Sequence, residues 1–534
     1  MRRLFVLAFT AVFLFGLLAS CGGKKTVGNR FEGDKMVISV SNWDVSQSFG
    51  SKPDELYQYI QDRFGIVFEP HDLSWDNFST LPLLWAQAGT LPDIIGGVSF
   101  VGGSVFRDWV EAGIIQALPD DLSAYPSLNM WISQDAVQDL AIDGKNYFIP
   151  RANSPHPDFE VTALARGLVN RRDWREKLGI PVPQTEEDFL NMWKAFADPA
   201  NNLNGDGSII FGILPDQPWV VFGQAFAGHG DTRGDWVMQP DGSMVIPALE
   251  SSSLPLMSFW RRAYREGLVD PDYITNPVGD VPMKNFVQGR AGTLIRQVIP
   301  THLKRLYDEW IIFHPDIDFN DAIEVLMPPR LPGKTPLFLN GTGFWSETYI
   351  NADVDAEKLE KILQLYDWLF SEEGVNTMVF GFEGKDWERR DGEIVMLTPV
   401  DPGTGMNLTA KDLYQFATDG MGHLAVFADE VVAWEDPNIP KMLRDMSTKT
   451  YEIILGPGMG LVQDSTRSST IANIPEVVQL AVDATGEWAA FMADTSNVSD
   501  EELFASFRAR WTAAGYDTAK AAMTREAAAR GWTY

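Results

Sequence analysis

The stretch from Met36 to Glu69 reads MVISVSNWDVSQSFGSKPDELYQYIQDRFGIVFE, and its pattern decides the fold. Residues 36–40 are mainly apolar and β-branched, which predicts a strand, and Ile66 begins a second run of the same kind. Between the two runs, apolar residues recur at every fourth position, as on one face of a helix: Leu56, Ile60 and Phe64. A strand, a helix and a strand in this order predict a parallel βαβ unit.

The same alternation continues beyond this stretch. Residues 92–95 predict a third strand, and residues 105–112 predict a helix that ends before Gly113. The carboxyl ends of parallel strands meet at one edge of a sheet, and ligands bind at that edge. Residues 41–43 and 96–99 follow or end two of these strands, so we expect them to lie at a ligand cleft.

Two later regions are predicted to be helical. Residues 355–371 carry the clearest pattern, with apolar side chains on one face and Glu and Lys on the other. Residues 472–534 are rich in alanine and predict further helices, with breaks near Asn497 and Gly515. Pro and Gly are spread evenly along the chain, so no interdomain linker is visible.

Composition and charge narrow the function classes. The 534 residues include 43 Lys and Arg against 73 Asp and Glu, a net charge of −30, with 45% apolar residues. A chain with 18 Trp, 13 Tyr and 32 Phe has ample apolar surface to bury, which excludes intrinsic disorder. The acidic balance argues against a nucleic-acid partner, since phosphate binding needs clustered Lys and Arg. A single Cys excludes an internal disulfide framework and a CxxC metal or redox site.

Residues 1–20 predict a lipoprotein signal peptide. Arg2 and Arg3 precede an apolar run over 4–18, which is shorter than the ~20 residues that span a bilayer. The run ends in Leu-Ala-Ser followed by Cys21, which resembles the bacterial lipobox and implies an acylated cysteine at the mature N-terminus. The alternative is an ordinary secretory signal in which Cys21 stays unmodified.

The residues after the signal predict a flexible tether. Residues 21–35 have no apolar period and several glycines and charges. Acyl chains on Cys21 would anchor the protein by about 0.8 kcal/mol for each buried methylene. We therefore expect an extracytoplasmic protein held to the cell membrane by its lipid, on the periplasmic face in a Gram-negative source.

Several short segments, taken together in their order along the chain, resemble the extracellular solute-binding lipoproteins (family 1 type) of bacterial carbohydrate ABC importers, specifically the large oligosaccharide group. The similar segments are LPDII at 91–95, EAGIIQ at 111–116, DGKNYFIP at 143–150, RDWREKLG at 172–179, EGLVDP at 266–271, FVQGRAG at 286–292, SEEG at 371–374 and GFEGKDW at 381–387. The resemblance covers about residues 36 to 530 and implies a monomer that captures an oligosaccharide and delivers it to the transmembrane permease subunits.

The resemblance also implies the architecture. It predicts an α/β fold with two lobes, a type II periplasmic-binding-protein-like clamshell with hinge crossings and extra C-terminal helices. We assign residues 36–150 and 292–345 to lobe 1, and residues 151–291 and 346–534 to lobe 2. By position, the hinge crossings are expected near 149–166, 291–296 and 340–351.

A sugar site needs aromatic rings for the C–H faces and short polar groups for the hydroxyls. The candidates lie after the first strand, near the expected hinges, or in the 381–387 loop, where the family tends to carry a cleft-facing aromatic ring: Trp43, Arg151, Trp219, Trp345, Glu383 and Trp387. The alternative for each aromatic ring is core packing, and for Arg151 and Glu383 an ordinary ion pair. The net charge of −30 argues mildly against a polyanionic ligand.

Residues 202–208 are compatible with a calcium loop. Oxygen-bearing side chains alternate at the first, third, fifth and seventh positions, with Gly207 at the sixth: Asn202, Asn204, Asp206 and Ser208. Relatives often have a further carboxylate at the ninth position, where this chain has Ile210. The alternative, which these departures favour, is a metal-free Asx turn. No other cofactor is predicted.

The residues favour a binding protein over an enzyme. The chain has no GxSxG elbow and no HExxH motif, and no catalytic residue is predicted. Retaining glycosidases need two carboxyl groups about 5–5.5 Å apart in one pocket, and the sequence fixes no such pair. Two alternatives stay open: a sugar-sensing lipoprotein that feeds a membrane receptor, and a secreted glycoside hydrolase.

Overall fold

The computed structural model describes residues 29–74, 76–154, 166–215, 220, 232, 234–274, 280–329, 331, 334–340, 343–463, 468, 471 and 474–533. The predicted signal peptide (1–20), Cys21 and the tether up to residue 28, residues 155–165 of the first expected hinge, and Trp219 lie outside these ranges. The tether prediction is wrong at its end, because Phe31–Glu32 form a strand that pairs with Lys35 and Met36. Within the described part of the chain, two main sheets each carry helices and have their own hydrophobic cores.

The strands are short, and most lie in the first two thirds of the chain. They are β1 (Phe31–Glu32), β2 (Lys35–Trp43), β3 (Ile66–Leu73), β4 (Ile94–Val98), β5 (Ile149–Ala152), β6 (Arg166–Arg171), β7 (Phe211–Pro215), β8 (Val237–Met238), β9 (Met244–Val245), β10 (Ala291–Gln297), β11 (Ile323–Leu326), β12 (Leu337–Asn340), β13 (Phe344–Ile350), β14 (Trp387–Arg390), β15 (Glu393–Met396) and β16 (Gly460–Gln463).

The helices surround these strands and continue to the C-terminus. They are α1 (Glu55–Phe64), α2 (Leu81–Ala88), α3 (Ser104–Glu111), α4 (Pro126–Ile132), α5 (Asp135–Gln138), α6 (Arg172–Lys177), α7 (Glu186–Ala197), α8 (Leu254–Arg265), α9 (Asp280–Val287), α10 (Pro300–Phe313), α11 (Phe319–Ala322), α12 (Ala356–Phe370), α13 (Glu372–Phe380), α14 (Ala410–Leu413), α15 (Asp419–Gly422), α16 (Ala428–Val431), α17 (Lys441–Ile454), α18 (Pro475–Val478), α19 (Ala484–Met492), α20 (Asp500–Ala513) and α21 (Tyr516–Ala529).

The first sheet confirms the predicted βαβ opening. Strand β2 pairs in parallel with β3 and with β4, and α1 connects β2 to β3. Asp54 caps the first turn of α1 by accepting the N–H of Tyr57, and Gly65 ends the helix in the left-handed conformation. Strand β13 completes the sheet by pairing antiparallel with both β4 and β5.

The second sheet has the order β11–β6–β10–β7. Strand β10 is antiparallel to β6 and parallel to β7, while β11 is antiparallel to β6. Helices α7, α8, α19, α20 and α21 pack on this sheet through one cluster of buried aromatic and aliphatic side chains, so the alanine-rich C-terminal segment is helical, as predicted.

The predicted division into lobes differs from the observed pairing at two places. The prediction assigns 292–345 to lobe 1, yet β10 and β11 are strands of the second sheet. It assigns all of 346–534 to lobe 2, yet most of β13 lies in that range and belongs to the first sheet. Helices α12 and α13 likewise bury their apolar faces with β2 and α1 in the first core. An apolar period identifies a helix but carries no information about which of two cores it covers.

The chain passes between the sheets at positions that partly match the expected hinges. Strand β5 ends at Ala152 in the first sheet and β6 begins at Arg166 in the second, so the crossing predicted near 149–166 is present. Residues 291–296 lie wholly inside β10, so no crossing occurs there. The return to the first sheet falls between β11 and β13, and a further passage follows α16, since Ala428 belongs to the first core and Ala433 to the second lobe.

In the described part of the chain, every helix is too short or too polar to cross a bilayer.

Candidate functional site

Three aromatic rings and one arginine meet at the carboxyl edge of the first sheet. Trp43 is the last residue of β2, Trp345 is the second residue of β13, and their rings stack with centroids 5.3 Å apart and planes 25° apart. Phe427 packs beside Trp345 at 5.9 Å. All three rings are half-buried, so each keeps part of its surface open to solvent or a ligand. We call Trp43, Trp345, Phe427 and Arg151 the aromatic–arginine cluster.

Arg151 lies beneath the rings and is only 1% exposed. Its guanidinium carbon is 4.0 Å from the centroid of Trp43 and 4.4 Å from that of Phe427, which places the cation against aromatic faces. Nη1 donates to Asn42 Oδ1 and to the carbonyl of His423, both at 3.2 Å, whereas Nε and Nη2 have no hydrogen-bond partner among the described residues. Burial lowers the pKa of Arg151 to about 9, although the nearby Glu347 carboxylate opposes this shift.

The buried carboxylate of Glu347 lies on β13, the strand that pairs with β5 beside this arginine. It pairs with Pro150 across β13 and β5, next to Arg151. Its Oε1 accepts the N–H groups of Phe100 and Val101 and the hydroxyl of Tyr349, while Oε2 has no partner in the described part of the chain. Burial raises the pKa of Glu347 to about 7, and these hydrogen bonds only partly offset the desolvation.

Asn42 connects the cluster to the rest of the lobe. Its amide nitrogen donates to the carbonyl of Gly420 at 2.7 Å, and its oxygen accepts from Arg151. Gly97, at φ +73°, lies against the same side chain: a Cβ on Gly97 would stand 2.6 Å from Asn42 Oδ1. The two segments expected at the cleft, 41–43 and 96–99, are therefore adjacent, and glycine is required for this close approach.

A second group of charges lies on and around α16, where the two lobes meet. Glu430 faces His302 of α10 at 3.5 Å, and Asp429 accepts from His423 at 2.9 Å. Burial raises the pKa of Glu430 to about 7, and the charge of Asp429 adds to the shift. Asp429 is half-buried, and His423 and Lys411 hold its pKa below the usual range.

The structure contradicts the predicted stacking role of Trp387. The side chain is 4% exposed and belongs to the first hydrophobic core, with its ring 6.0 Å from that of Phe380. Its indole N–H donates to the carbonyl of Gly381 at 2.9 Å. A ring whose surface and N–H group are both occupied by the protein has a structural role, because nothing is left for a ligand.

Glu383 lies in the exposed turn between α13 and β14, and its backbone bridges to Trp387. The turn packs against α1 through Phe382, whose ring meets Tyr59 edge-on at 5.5 Å. This packing partner is outside the aromatic–arginine cluster. A ligand-binding role for the Glu383 carboxylate stays a prediction.

Sequence reasoning missed Phe427. The residue lies in the segment 420–427, which has short turns and no apolar period, so no local pattern marks it. It reaches the cluster because its N–H donates to the carbonyl of Ala152 at 2.8 Å, beside Arg151. A contact between segments this far apart in the chain has no signal in a single sequence.

The 202–208 loop is closed by its own hydrogen bonds. Asn202 Oδ1 accepts the N–H of Gly207, Asp206 Oδ1 accepts that of Ser208, and Asn204 Nδ2 donates to Ser208. Asp206 is its one carboxylate, and the described residues contain no cluster of three His, Cys, Asp or Glu side chains suited to a metal. Calcium takes six to eight oxygen ligands, so this donor set fits the ion poorly.

The chain is similar in sequence to two proteins of Bacillus subtilis. No family model matches the chain. The chain is 24% identical over 309 residues to the polygalacturonan/rhamnogalacturonan-binding protein YtcQ of Bacillus subtilis, covering 57% of this chain and 57% of YtcQ. It is 23% identical over 399 residues to lipoprotein LipO of the same organism, covering 71% of this chain and 73% of LipO. The chain thus spans a little over half the length of YtcQ.

Among solved structures, an EF-hand mutant of the Streptococcus pneumoniae ABC-transporter substrate-binding protein FusA, in complex with fructo-nystose, matches with a TM-score of 0.63 at 15% identity. The match covers 92% of this chain and 98% of that chain. The chain has the fold of a solute-binding protein. YtcQ is named as a polysaccharide-binding protein and FusA as an ABC-transporter substrate-binding protein, in agreement with the resemblance drawn from the sequence segments, and the structural match confirms the predicted two-lobed solute-binding fold. In this solute-binding fold, the aromatic–arginine cluster occupies the strand edge at which ligands of parallel sheets bind.

Proposed function

We propose that the protein binds an oligosaccharide between its two lobes and delivers it, chemically unchanged, to the permease of an ABC transporter. The observation that carries this proposal is the aromatic–arginine cluster at the carboxyl edge of the first sheet. Trp43, Trp345 and Phe427 offer partly open ring surfaces to the C–H faces of sugars. The names of YtcQ and of the FusA complex support a carbohydrate ligand.

Arg151 would fix the geometry of this platform. Its guanidinium packs on Trp43 and Phe427 and bonds Asn42, so it ties β2, β5 and the 420–427 segment to one another. The two nitrogens without partners, Nε and Nη2, are donors for a ligand oxygen if the rings part on binding. An unpaired buried donor costs about 1–3 kcal/mol, so a ligand that pairs one gains affinity.

Capture would couple to closure of the lobes. A ligand that contacts both lobes binds the closed form more tightly and shifts the population toward it, and only this difference in affinity can signal occupancy to a permease. Of the passages between the lobes, the one that follows α16 lies within the described residues, since Ala428 belongs to the first core and Ala433 to the second lobe. This segment would absorb part of the change in φ and ψ.

A lipid anchor at Cys21 completes the proposal. The Leu-Ala-Ser-Cys sequence and the similarity to LipO, which is named a lipoprotein, support acylation of this residue. We expect the wild-type protein to partition into a detergent phase and the Cys21→Ser variant to stay in the aqueous phase. Equal partitioning of the two forms would contradict the anchor and leave the sugar-binding proposal intact.

The decisive experiment is calorimetric titration of the protein with neutral and acidic oligosaccharides, combined with chromatography of the sugars afterwards. We expect saturable binding of at least one oligosaccharide, recovered at its original length. Shortened products with new reducing ends would instead establish a glycoside hydrolase. Absence of binding across both sugar classes would overturn the proposed ligand.

A further inference from the structure

Strand β13 has a β-bulge opposite Arg151. Two residue pairs between β13 and β5 define it, Phe344 with Ala152 and Glu347 with Pro150. Between these pairs, Trp345 and Ser346 of β13 both lie opposite the single residue Arg151 of β5. The Arg151 guanidinium is 5.6 Å from the Trp345 ring, so the bulge is part of the aromatic–arginine cluster. Bulges next to a site re-aim the side chains that they carry.

The backbone of Ser346 is strained. Its φ is +66°, in the left-handed region that residues with a Cβ adopt only at a cost in free energy. Strand β4, which pairs with the other edge of β13, also has an irregularity there, and its left-handed residue is Gly97. Glycine would fit the β13 bulge without strain, yet this chain has a serine. We therefore looked for a use of the serine side chain.

The Ser346 hydroxyl has no use inside the protein. The residue is 4% exposed, and its Oγ makes no hydrogen bond to any described residue. The same is true of polar atoms on the paired strands or directly after them: Arg151 Nε and Nη2, Asn153 Oδ1 and Glu347 Oε2. Buried polar atoms without partners are rare in folded proteins, and here they are concentrated around one bulge.

These unpaired atoms include both donors and acceptors. Arg151 can only donate hydrogen bonds, an ionised Glu347 can only accept them, and the Ser346 hydroxyl does both. A sugar hydroxyl also donates and accepts, so it can satisfy a donor and an acceptor of this set together. A carboxylate or a phosphate has no hydrogen to give and would leave the Glu347 oxygen unpaired. The set therefore suits a hydroxyl better than an anionic group.

We propose that Ser346 is a specificity-determining residue of the sugar site, and that it bonds a sugar hydroxyl that also accepts from Arg151. This inference rests on the proposed function and adds a polar contact to the aromatic platform. Both residues are less than one tenth exposed, so the half-buried ring of Trp345 must turn aside as the sugar enters. The bulge would hold the hydroxyl in place for this contact.

Ser346→Ala removes the hydroxyl and keeps the Cβ. Calorimetric titration compares the variant with the wild type, with cellotriose, maltotriose and trigalacturonate as probes. For each trisaccharide that the wild type binds, the affinity of Ser346→Ala should be lower by about three- to tenfold, the effect of one lost hydrogen bond. Unchanged affinity in folded Ser346→Ala would mean that the hydroxyl bonds water at most, and would overturn the proposal.

Ser447→Ala is the matched control. Ser447 lies on α17, and its Oγ is likewise buried without a partner among the described residues. It is not a member of the aromatic–arginine cluster, so this variant should bind the trisaccharides as the wild type does. An equal loss of affinity in both alanine variants would assign the effect to a general loosening of the fold and overturn the contact.

Ser346→Gly separates the hydroxyl from the backbone. Glycine adopts positive φ without strain, so its melting temperature should equal or exceed that of Ser346→Ala. Both variants lack the hydroxyl and should lose affinity equally. Wild-type affinity in Ser346→Gly would assign the effect to the backbone and overturn the role of the hydroxyl. A wild type that binds none of the probes contradicts the proposed function and this inference together, whereas equal binding by wild type and Ser346→Ala contradicts the inference alone.

Discussion

The indole rings of Trp43 and Trp345 stack 5.3 Å apart, one from the end of β2 and the other from the start of β13. These strands are not neighbours in the sheet, because β4 lies between them. The contact is made above the strand edge, where Arg151 lies 4.0 Å from the first ring and 5.6 Å from the second. The two half-buried indoles and the cation therefore lie at the strand edge where ligands of parallel sheets bind.

Trp345→Ala should weaken oligosaccharide binding by about 1–3 kcal/mol, because it removes ring surface from the proposed platform. The loss is expected in calorimetric titration as a fall in affinity of roughly five- to 150-fold at unchanged stoichiometry. Trp109→Phe is the control, since Trp109 is buried on α3 and is not a member of the aromatic–arginine cluster. Unchanged affinity in folded Trp345→Ala would remove this ring from the site.

Trp387→Ala should lower stability and leave the affinity of the folded protein nearly unchanged. The ring is part of the first core, and truncating a buried tryptophan costs about 3–5 kcal/mol. Thermal unfolding followed by circular dichroism measures the first effect, and titration well below the melting temperature measures the second. A selective loss of sugar affinity with an unchanged melting temperature would restore the ligand-binding interpretation of this residue.

The contrast between Trp387 and Phe427 indicates what a sequence can predict here. Strand and helix periods gave β2, α1 and α12 close to their observed bounds, because those patterns are local. The loop motif around Trp387 gave a residue type but not the direction of its side chain. Arg151 and His423, whose bond links the cluster to the 420–427 segment, are 272 positions apart, and no single sequence records such a contact.

Glu347→Gln should make stability less dependent on pH. The carboxyl has an ordinary pKa of 4.5 when unfolded and about 7 when folded, so the protonated form is favoured in the native protein. Its stabilising contribution is fully present below pH 4.5 and is lost as the pH rises through 7. At pH 8 the variant should therefore gain up to about 3 kcal/mol relative to wild type, and the gain should shrink toward pH 4.5.

Melting temperatures of the wild type and of Glu347→Gln, measured from pH 4.5 to pH 8, test whether the stability difference between them grows with pH. Glu360→Gln, an exposed change on α12, is the control and should track the wild type at every pH. The raised pKa of Glu430 is common to all three proteins and cancels in the comparison. A wild-type-to-variant difference that stays constant with pH would rule out a titrating carboxyl at position 347.

Calcium should not change the melting temperature. Asn202 and Asp206 already accept hydrogen bonds from the 202–208 loop, and the loop has a single carboxylate to attract the ion. Thermal shift measurements with excess calcium and with a chelator are expected to coincide, both for the wild type and for Asp206→Asn. A calcium-dependent rise that Asp206→Asn abolishes would show that the loop is a metal site after all.

Gly97→Ala should damage both stability and ligand binding, whereas Gly113→Ala should affect stability alone. Both glycines have positive φ, +73° and +65°, so alanine costs about 1–2 kcal/mol at either position. At Gly113 nothing lies within 4 Å of the added Cβ, but at Gly97 the Cβ would stand 2.6 Å from Asn42 Oδ1. Asn42 must then move, and Arg151 loses the oxygen that accepts from its Nη1.

Melting temperatures should fall further for Gly97→Ala than for Gly113→Ala, and only the former should bind oligosaccharide more weakly. Equal effects of the two substitutions on affinity would mean that Asn42 does not position Arg151 for the ligand.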